Sequence, residues 1–373
     1  MNKKKVGILT LHLNYGGTEL ATVNLANMLS EKYDVTIINM YKSDIVFKLN
    51  ENVKVIQLSD LFPNKEDFNK ALKEKNVFKI LKEGIKSFKI LKARESFVKK
   101  HLKYNTYDYL ISSRALYTKL INDMKTSSKR IAIEHRHHNY DQKYISFLKK
   151  NTSNIDCLVS VSKELDDFYK ENLSCKCEYI PNALENIPNK EAVDNLKKEN
   201  IIIAVGRFEK EKGFIDLIKV FEKISKELPE YKLILAGDGS LKDKIMNEIK
   251  DRNLEEKVEL TGFIEKEKLN KLYEKSKLYL MTSFEESFGL VVGEAESYKV
   301  PVIAFSTATG AVELLNGTGI IVEDRDVDKM AYEAVNLLKS KNYEHIANKA
   351  YNNISRFSFE NVKMQWENLL KNL

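Results

Sequence analysis

Residues 201–213 read IIIAVGRFEKEKG: a short apolar run, rich in β-branched residues, that ends at a glycine and opens into a cluster of charges. The pattern recurs as KLILAGDGS (232–240), VELTGFI (258–264) and KLYLMTSFEESFGLVVGEAE (277–296), and the runs PVIAF (301–305) and GIIVE (319–323) follow. Helical patterns separate these runs. Strands alternating with helices are the mark of parallel βαβ architecture. In such doubly wound sheets ligands lie beyond the carboxyl ends of the strands, so the clusters that follow each run are the candidate site.

Working outward, the first half of the chain shows the same alternation. Its expected strands are VGILTL (6–11), VTII (35–38), VKVIQL (53–58), YLIS (109–112), RIAIEH (130–135) and CLVSV (157–161). A helix over about 17–31 places Leu20, Val23, Leu25, Ala26 and Leu29 close to one face. Residues 178–200 hold two of the five prolines and several asparagines, and read as an interdomain linker. A chain of 373 residues exceeds what a single core usually supports. Two Rossmann-like domains are therefore expected, at 1–185 and 186–355, with a C-terminal helix at 356–373.

The loops of the second half carry distinct chemistry. Arg207 and Lys212 stand at the start of a helix, where free N–H groups also point outward, and two cations there suit a diphosphate. A plain exposed basic helix start has the same composition. Gly237 lies in the tight GDGS turn, where φ can be positive or a ligand can approach. Gly262-Phe263-Ile264 forms a short turn able to present backbone groups and a ring to a base. Glu286 precedes a helix expected to begin near Phe288 or Gly289. The first amides of that helix, near Leu290 and Val291, are free to bind phosphate, and Glu294 lies within it. A carboxylate there can accept two hydrogen bonds from a cis-diol. Either glutamate also fits a solvated or dipole-stabilised position on an ordinary helix.

Taken together, GRFEKEKG, LAGDG, TGF and SFEESFGLVVGEAE resemble, in order and spacing, the donor domain of the retaining family-four glycosyltransferases of the GT-B fold. The family's pair of glutamates separated by seven residues falls on Glu286 and Glu294. LNYGGTELATVNLANMLSEKYDVTII resembles the opening Gly-Gly loop and first helix, and FSFENVKMQWENLL the helix that returns to the first domain. Two departures stand out: Lys299 where a glycine usually precedes the proline, and a single Gly310 where a glycine pair is common. The resemblance implies two α/β Rossmann-like domains facing across a cleft, and transfer with retention from a nucleoside diphosphate sugar, most often a UDP-sugar. It implies a glycan or lipid-linked acceptor, as in bacterial capsule and exopolysaccharide synthesis. On the same grounds Arg207 and Lys212 stabilise the leaving diphosphate, Glu294 holds the ribose and Glu286 contacts the donor sugar. Gly16 and Gly17 let the backbone approach the donor phosphates or the acceptor, and His135 stands near the transferred sugar. Phe263, Ile264, Phe288, Gly289, Leu290 and Val291 complete the donor site with Gly237. A sugar-nucleotide epimerase and a soluble disaccharide synthase are alternatives on the same fold. A non-catalytic partner subunit is another, but it should have lost the donor residues, and Arg207, Lys212, Glu286 and Glu294 are all present.

No metal or other cofactor is expected. His135, His137 and His138 lack a carboxylate at ligand spacing, and Asp324, Asp326 and Asp328 open a helix, where N-capping explains them. Cys157, Cys175 and Cys177 show no zinc-site spacing, which fits a reducing cytoplasmic compartment. The net charge of +7 is concentrated in one segment. Between Lys65 and Lys103 thirteen lysines and arginines face five acids. Phe68, Leu72, Phe78, Leu81, Ile85, Phe88, Leu91 and Phe97 recur there at helical spacing. This segment, 65–104, is expected either to lie on an anionic membrane surface or to be an ordinary helix with a lysine-rich face. The first reading makes the protein peripheral on the inner face of the cell membrane. No nucleic-acid module is present, and no apolar stretch is long enough to span a membrane.

Overall fold

The computed structural model describes residues 3–62, 64–138, 140–315 and 317–373, and of Lys65 and Glu66 only the backbone. The chain divides into two compact units: Met1–Ile180 with Lys363–Leu373, and Pro181–Val362.

Unit 1 is built on a parallel sheet of β1 (Lys5–Thr10), β2 (Asp34–Tyr41), β3 (Lys54–Ser59), β4 (Tyr109–Ser112), β5 (Lys129–Glu134), β6 (Cys157–Ser160) and β7 (Lys176–Tyr179). Their order is β3-β2-β1-β4-β5-β6-β7, so the winding reverses between β1 and β4. The central strands are buried on both faces, which is why they read as unbroken apolar runs. β7 was not anticipated: only Cys177 of its KCEY is buried, and an edge strand needs little apolar content. It also takes up the start of the expected linker, and residues 181–200, including the helix Lys190–Asp194, belong to unit 2.

The first helix, Gly17–Ser30, departs from the one-faced pattern. Every residue from Ala21 to Ser30 is buried, polar ones included, whereas Leu20 is half-buried. The polar side chains find partners locally. Asn27 donates to the Lys48 carbonyl at 2.9 Å and accepts from the Asn50 N–H at 2.9 Å, and the Thr22 hydroxyl donates to the Thr18 carbonyl. Paired in this way, Thr22 and Asn27 enter the interior with their donors satisfied. The C-terminal helix Phe359–Asn372 closes unit 1: Leu369 and Leu370 are buried, and the Tyr109 hydroxyl donates to the Leu370 carbonyl at 2.6 Å.

The basic segment forms two helices, Lys65–Lys73 and Val77–Tyr104. The longer one turns Ile90, Val98 and Leu102 inward, while Val77, Phe78, Leu81, Ile85 and Phe88 are each more than half exposed. Lys79, Lys82, Lys86 and Lys89 are exposed beside them.

Unit 2 repeats the plan with β8 (Ile201–Val205), β9 (Lys232–Ala236), β10 (Val258–Gly262), β11 (Leu278–Met281), β12 (Val302–Phe305) and β13 (Ile320–Val322). The order β10-β9-β8-β11-β12-β13 reverses between β8 and β11. Lys299 adopts φ 56°, a left-handed conformation that costs a non-glycine residue, and its ammonium pairs with Asp194. The departure from the family's glycine is thus a structural substitution with its own ion pair.

Candidate active site

In unit 2 the two loops that flank the reversal, 206–213 after β8 and 282–289 after β11, carry the candidate charges. They are tied together by main-chain contacts: Phe284 N–H donates to the Glu211 carbonyl at 2.7 Å, and the Thr282 hydroxyl to the Lys212 carbonyl at 3.2 Å. Across this junction Lys212 Nζ meets Glu286 Oε2 at 2.7 Å, both side chains largely enclosed. Arg207 is exposed and pairs with Glu211 at 3.0 Å. Both cations thus stand on the loop after β8, each paired with a carboxylate, Arg207 within that loop and Lys212 across to the next.

Gly289 caps the helix Leu290–Ser297 with φ 81°, a conformation that favours glycine, and so turns the chain sharply into the helix. The N–H groups of Leu290 and Val291, in its first turn, have no intrahelical acceptor. Glu294 lies one turn further on. Its Oε1 pairs with the Lys266 ammonium, and its Oε2 accepts from the Tyr273 hydroxyl at 3.3 Å. Phe263 is exposed and Ile264 half-buried at the turn that leads into the helix Lys266–Lys275.

Two expected ligand contacts are structural instead. The Phe288 ring is buried and meets Phe357 edge-on, centroids 5.4 Å apart, so only its backbone is available. At Gly237 a Cβ would lie 1.9 Å from the Gly206 carbonyl oxygen, so the glycine is required by the close approach of two neighbouring loops. Among the acids near 326, Asp326 does cap the helix Val327–Lys339, accepting from Lys329 N–H at 2.9 Å, but Asp328 pairs with Lys223 at 2.7 Å. Among the described residues no group of three or more His, Cys, Asp or Glu side chains is arranged to hold a metal ion.

Unit 1 has its own cluster at the β1/β4 reversal. Glu19, buried in the first turn of the first helix, pairs with Arg114, which follows β4, and lies 3.7 Å from His12 Nδ1, which follows β1. Gly16 caps that helix, and a Cβ there would run into the Glu19 carboxylate, whereas Gly17 has open space beside it. His135 follows β5, and its enclosed Nε2 has no hydrogen-bond partner among the described residues. Burial and the Arg114 charge hold its pKa at about 3, so the ring is neutral near pH 7. Neighbouring Glu134 is pushed up to about 7 by burial, although it accepts from the Tyr144 hydroxyl at 2.7 Å and the Arg136 N–H at 3.0 Å.

Residues 186–353 match the family described as glycosyl transferases group 1. The chain carries a group 1 glycosyltransferase domain over that stretch, most of unit 2. It is 27% identical over 371 residues, 98% of both chains, to the GalNAc-α-(1→4)-GalNAc-α-(1→3)-diNAcBac-PP-undecaprenol α-1,4-N-acetyl-D-galactosaminyltransferase of Campylobacter jejuni. It is 24% identical to an uncharacterized glycosyltransferase of Haemophilus influenzae, covering 98% of this chain and all of the other. Among solved structures, S. aureus TarM in complex with fondaparinux, α-GlcNAc-glycerol and UDP superposes with a TM-score of 0.77 at 17% identity, over 99% of this chain and 100% of that one. Sucrose-phosphate synthase from Thermosynechococcus elongatus gives 0.78, also at 17% identity, over 99% of both chains. Both likenesses establish the GT-B fold.

In this glycosyltransferase the sequence pattern did not single out Glu19, Arg114, Lys266, Tyr273 or Arg325. Arg325 stacks on Phe284 at 3.5 Å, donates to the Thr282 and Ser283 carbonyls at 3.0 and 3.1 Å, and pairs with Asp216 at 2.7 Å. It therefore braces the loop that carries Glu286. Its position inside the Asp-rich string 324–328 was the one available signal.

Proposed function

We propose that the chain is a retaining glycosyltransferase that moves a sugar from a UDP-sugar to a glycan or lipid-linked acceptor at the cytoplasmic membrane face, without a metal ion. The observation that carries this is the Lys212–Glu286 pair at the β8/β11 reversal, beside a helix start whose first amides are free. As the glycosidic bond breaks, negative charge develops on the diphosphate. Lys212, Arg207 and the Leu290 and Val291 amides supply fixed positive ends to meet it. Glu294 takes the ribose hydroxyls, Glu286 the donor sugar, and Phe263 and Ile264 border the base. Gly16 and Gly17 are assigned to the donor phosphates or the acceptor, and neutral His135 to the transferred sugar. The acceptor class is suggested by the Campylobacter relative, whose name specifies a polyprenyl-diphosphate-linked glycan, and the nucleotide by the UDP in the TarM complex. Retention rests on the family-four resemblance.

Purified protein should transfer sugar from a UDP-sugar to an undecaprenyl-diphosphate-linked glycan, with the anomeric configuration read by NMR. Activity should survive EDTA followed by dialysis. Failure to turn over any nucleotide sugar would remove the assignment, and loss on chelation with rescue by Mn²⁺ would remove the metal-free mechanism.

Membrane seating is assigned to the helix Val77–Tyr104. An outward apolar row flanked by exposed lysines matches a surface that offers acyl chains under anionic headgroups. Among the described residues no helix is long and apolar enough to cross a membrane. Vesicles containing anionic lipid should sediment the protein and neutral vesicles should not. Salt at about 1 M, where the Debye length falls to about 3 Å, should release it. Replacing Lys79, Lys82, Lys86 and Lys89 with Glu should abolish binding; equal binding to both vesicle types, or none, would leave an ordinary solvated helix.

A further inference from the structure

One helix grips the Glu294 carboxylate at both oxygens. Lys266 and Tyr273 stand seven residues apart on the helix Lys266–Lys275, two turns along one face. The Lys266 ammonium pairs with Oε1. The Tyr273 hydroxyl lies 3.3 Å from Oε2 and 3.4 Å from the Val291 carbonyl oxygen, and so reaches both the carboxylate and the first turn of the helix that carries it. The Tyr273 ring cannot follow a moving partner: it is fully buried and stacks on Tyr298 with centroids 6.0 Å apart and 21° between planes. Lys266 closes the arrangement from the solvent side, with its side chain 39% exposed.

A carboxylate has about four lone-pair sites, two on each oxygen. With one site on each oxygen taken, one on each remains. Two acceptor sites a carboxylate's width apart suit two vicinal hydroxyls. A free glutamate would have to be ordered when its ligand bound, whereas one held at both oxygens is ordered beforehand. The geometry points to Lys266 and Tyr273 as positioning residues that fix the plane of the Glu294 carboxylate for bidentate acceptance of a nucleotide's ribose diol. The inference rests on the assignment of Glu294 to the ribose made above.

The test is calorimetric binding of a nucleoside diphosphate and its 2′-deoxy analogue to the full chain. The pair is chosen from UDP, GDP and ADP by whichever nucleotide stabilises the protein most. Wild type should prefer the ribo form about tenfold or more, the weight of one hydrogen bond to a charged group. In Lys266→Gln and Tyr273→Phe the ribo form should weaken about tenfold while the deoxy form changes little, so the ratio falls toward one. Lys266→Arg should restore much of it. A variant that weakens both forms equally, or leaves the ratio intact, makes these residues merely structural and overturns the inference; Lys266→Gln, on the surface, keeps that outcome readable if Tyr273→Phe unfolds. No preference in wild type, or no nucleotide binding at all, would instead overturn the ribose assignment of Glu294.

Discussion

The two units wind their sheets in the same way, and each places charged groups where the strand order reverses, yet the two reversals are built differently. At β8/β11 both cations stand on the loop after β8: Arg207 is exposed, and Lys212 meets Glu286 of the neighbouring loop with side chains 21% and 17% exposed. At β1/β4 the acid is inside: Glu19 is 3% exposed and held by Arg114, and His135 nearby is neutral. On the function proposed above, the first arrangement serves a ligand's phosphates, and the second holds a loop. The same topology therefore carries a partly exposed charge cluster in one unit and a buried ion pair in the other.

The largest effect should come from the open pair. Changing Arg207 or Lys212 to Ala removes charge aimed at the leaving diphosphate, and turnover should fall about 10²-fold or more. Because Arg207 is exposed and Lys212 sits in a loop, circular dichroism should show folded protein in both variants. Wild-type turnover in both would erase the contrast between the reversals.

The closed pair should respond through stability. Arg114→Ala leaves the Glu19 carboxylate buried without its partner, a cost of about 1–3 kcal/mol once the partial exposure of Arg114 is allowed for. Trp366 is the one tryptophan of the sequence, and it is buried in the C-terminal part of unit 1. Its fluorescence during urea unfolding thus reports that unit. A midpoint unchanged by Arg114→Ala would show that the pair holds nothing, and Glu19→Gln added to it should recover part of the loss.

The contrast also explains what the sequence made legible. The strands were readable because a sheet buried on both faces must be written in Ile, Val and Leu, and β7 escaped because an edge needs only Cys177 inside. Arg207, Lys212 and Glu286 were readable because they cluster within short loops directly after strands, and Glu294 because it stands in the first turns of the helix that follows. Arg114 and Glu19 were not: they are 95 residues apart, and one arginine after a strand looks like any surface arginine. Lys266 was hidden in the same way among the lysines of its helix. Phe288 was placed in the donor site by its position at the helix start, and its ring is taken up instead by Phe357, far along the chain.

The smallest effect separates the units by pH. Glu296 in unit 2 is fully buried; it accepts from the Thr318 hydroxyl at 2.6 Å, and burial pushes it up to about 8. An acid whose folded pKa is raised binds its proton more tightly when folded, so its stabilisation is complete below about pH 4.5 and is lost as pH rises toward 8. Glu134 gives unit 1 the same trend up to about pH 7. There, however, it is opposed. Burial lowers His101, His135 and His138, and a histidine whose folded pKa is depressed stabilises above about pH 6.5 and loses that as pH falls. Between about pH 4.5 and 6.5 these three histidines outweigh the one acid in unit 1, so its stability rises with pH, whereas Glu296 drives unit 2 the other way. The unfolding midpoint followed by Trp366 fluorescence should therefore rise with pH across that window. Far-UV circular dichroism, which also sees unit 2, should show stability falling with rising pH, by at most about 1.4 kcal/mol per pH unit for one group. Glu296→Gln should flatten the second trace and leave the first unchanged. A Trp366 trace that falls with rising pH beside a flat dichroism trace would reverse the assignment, and would place the uncompensated buried acid at Glu134.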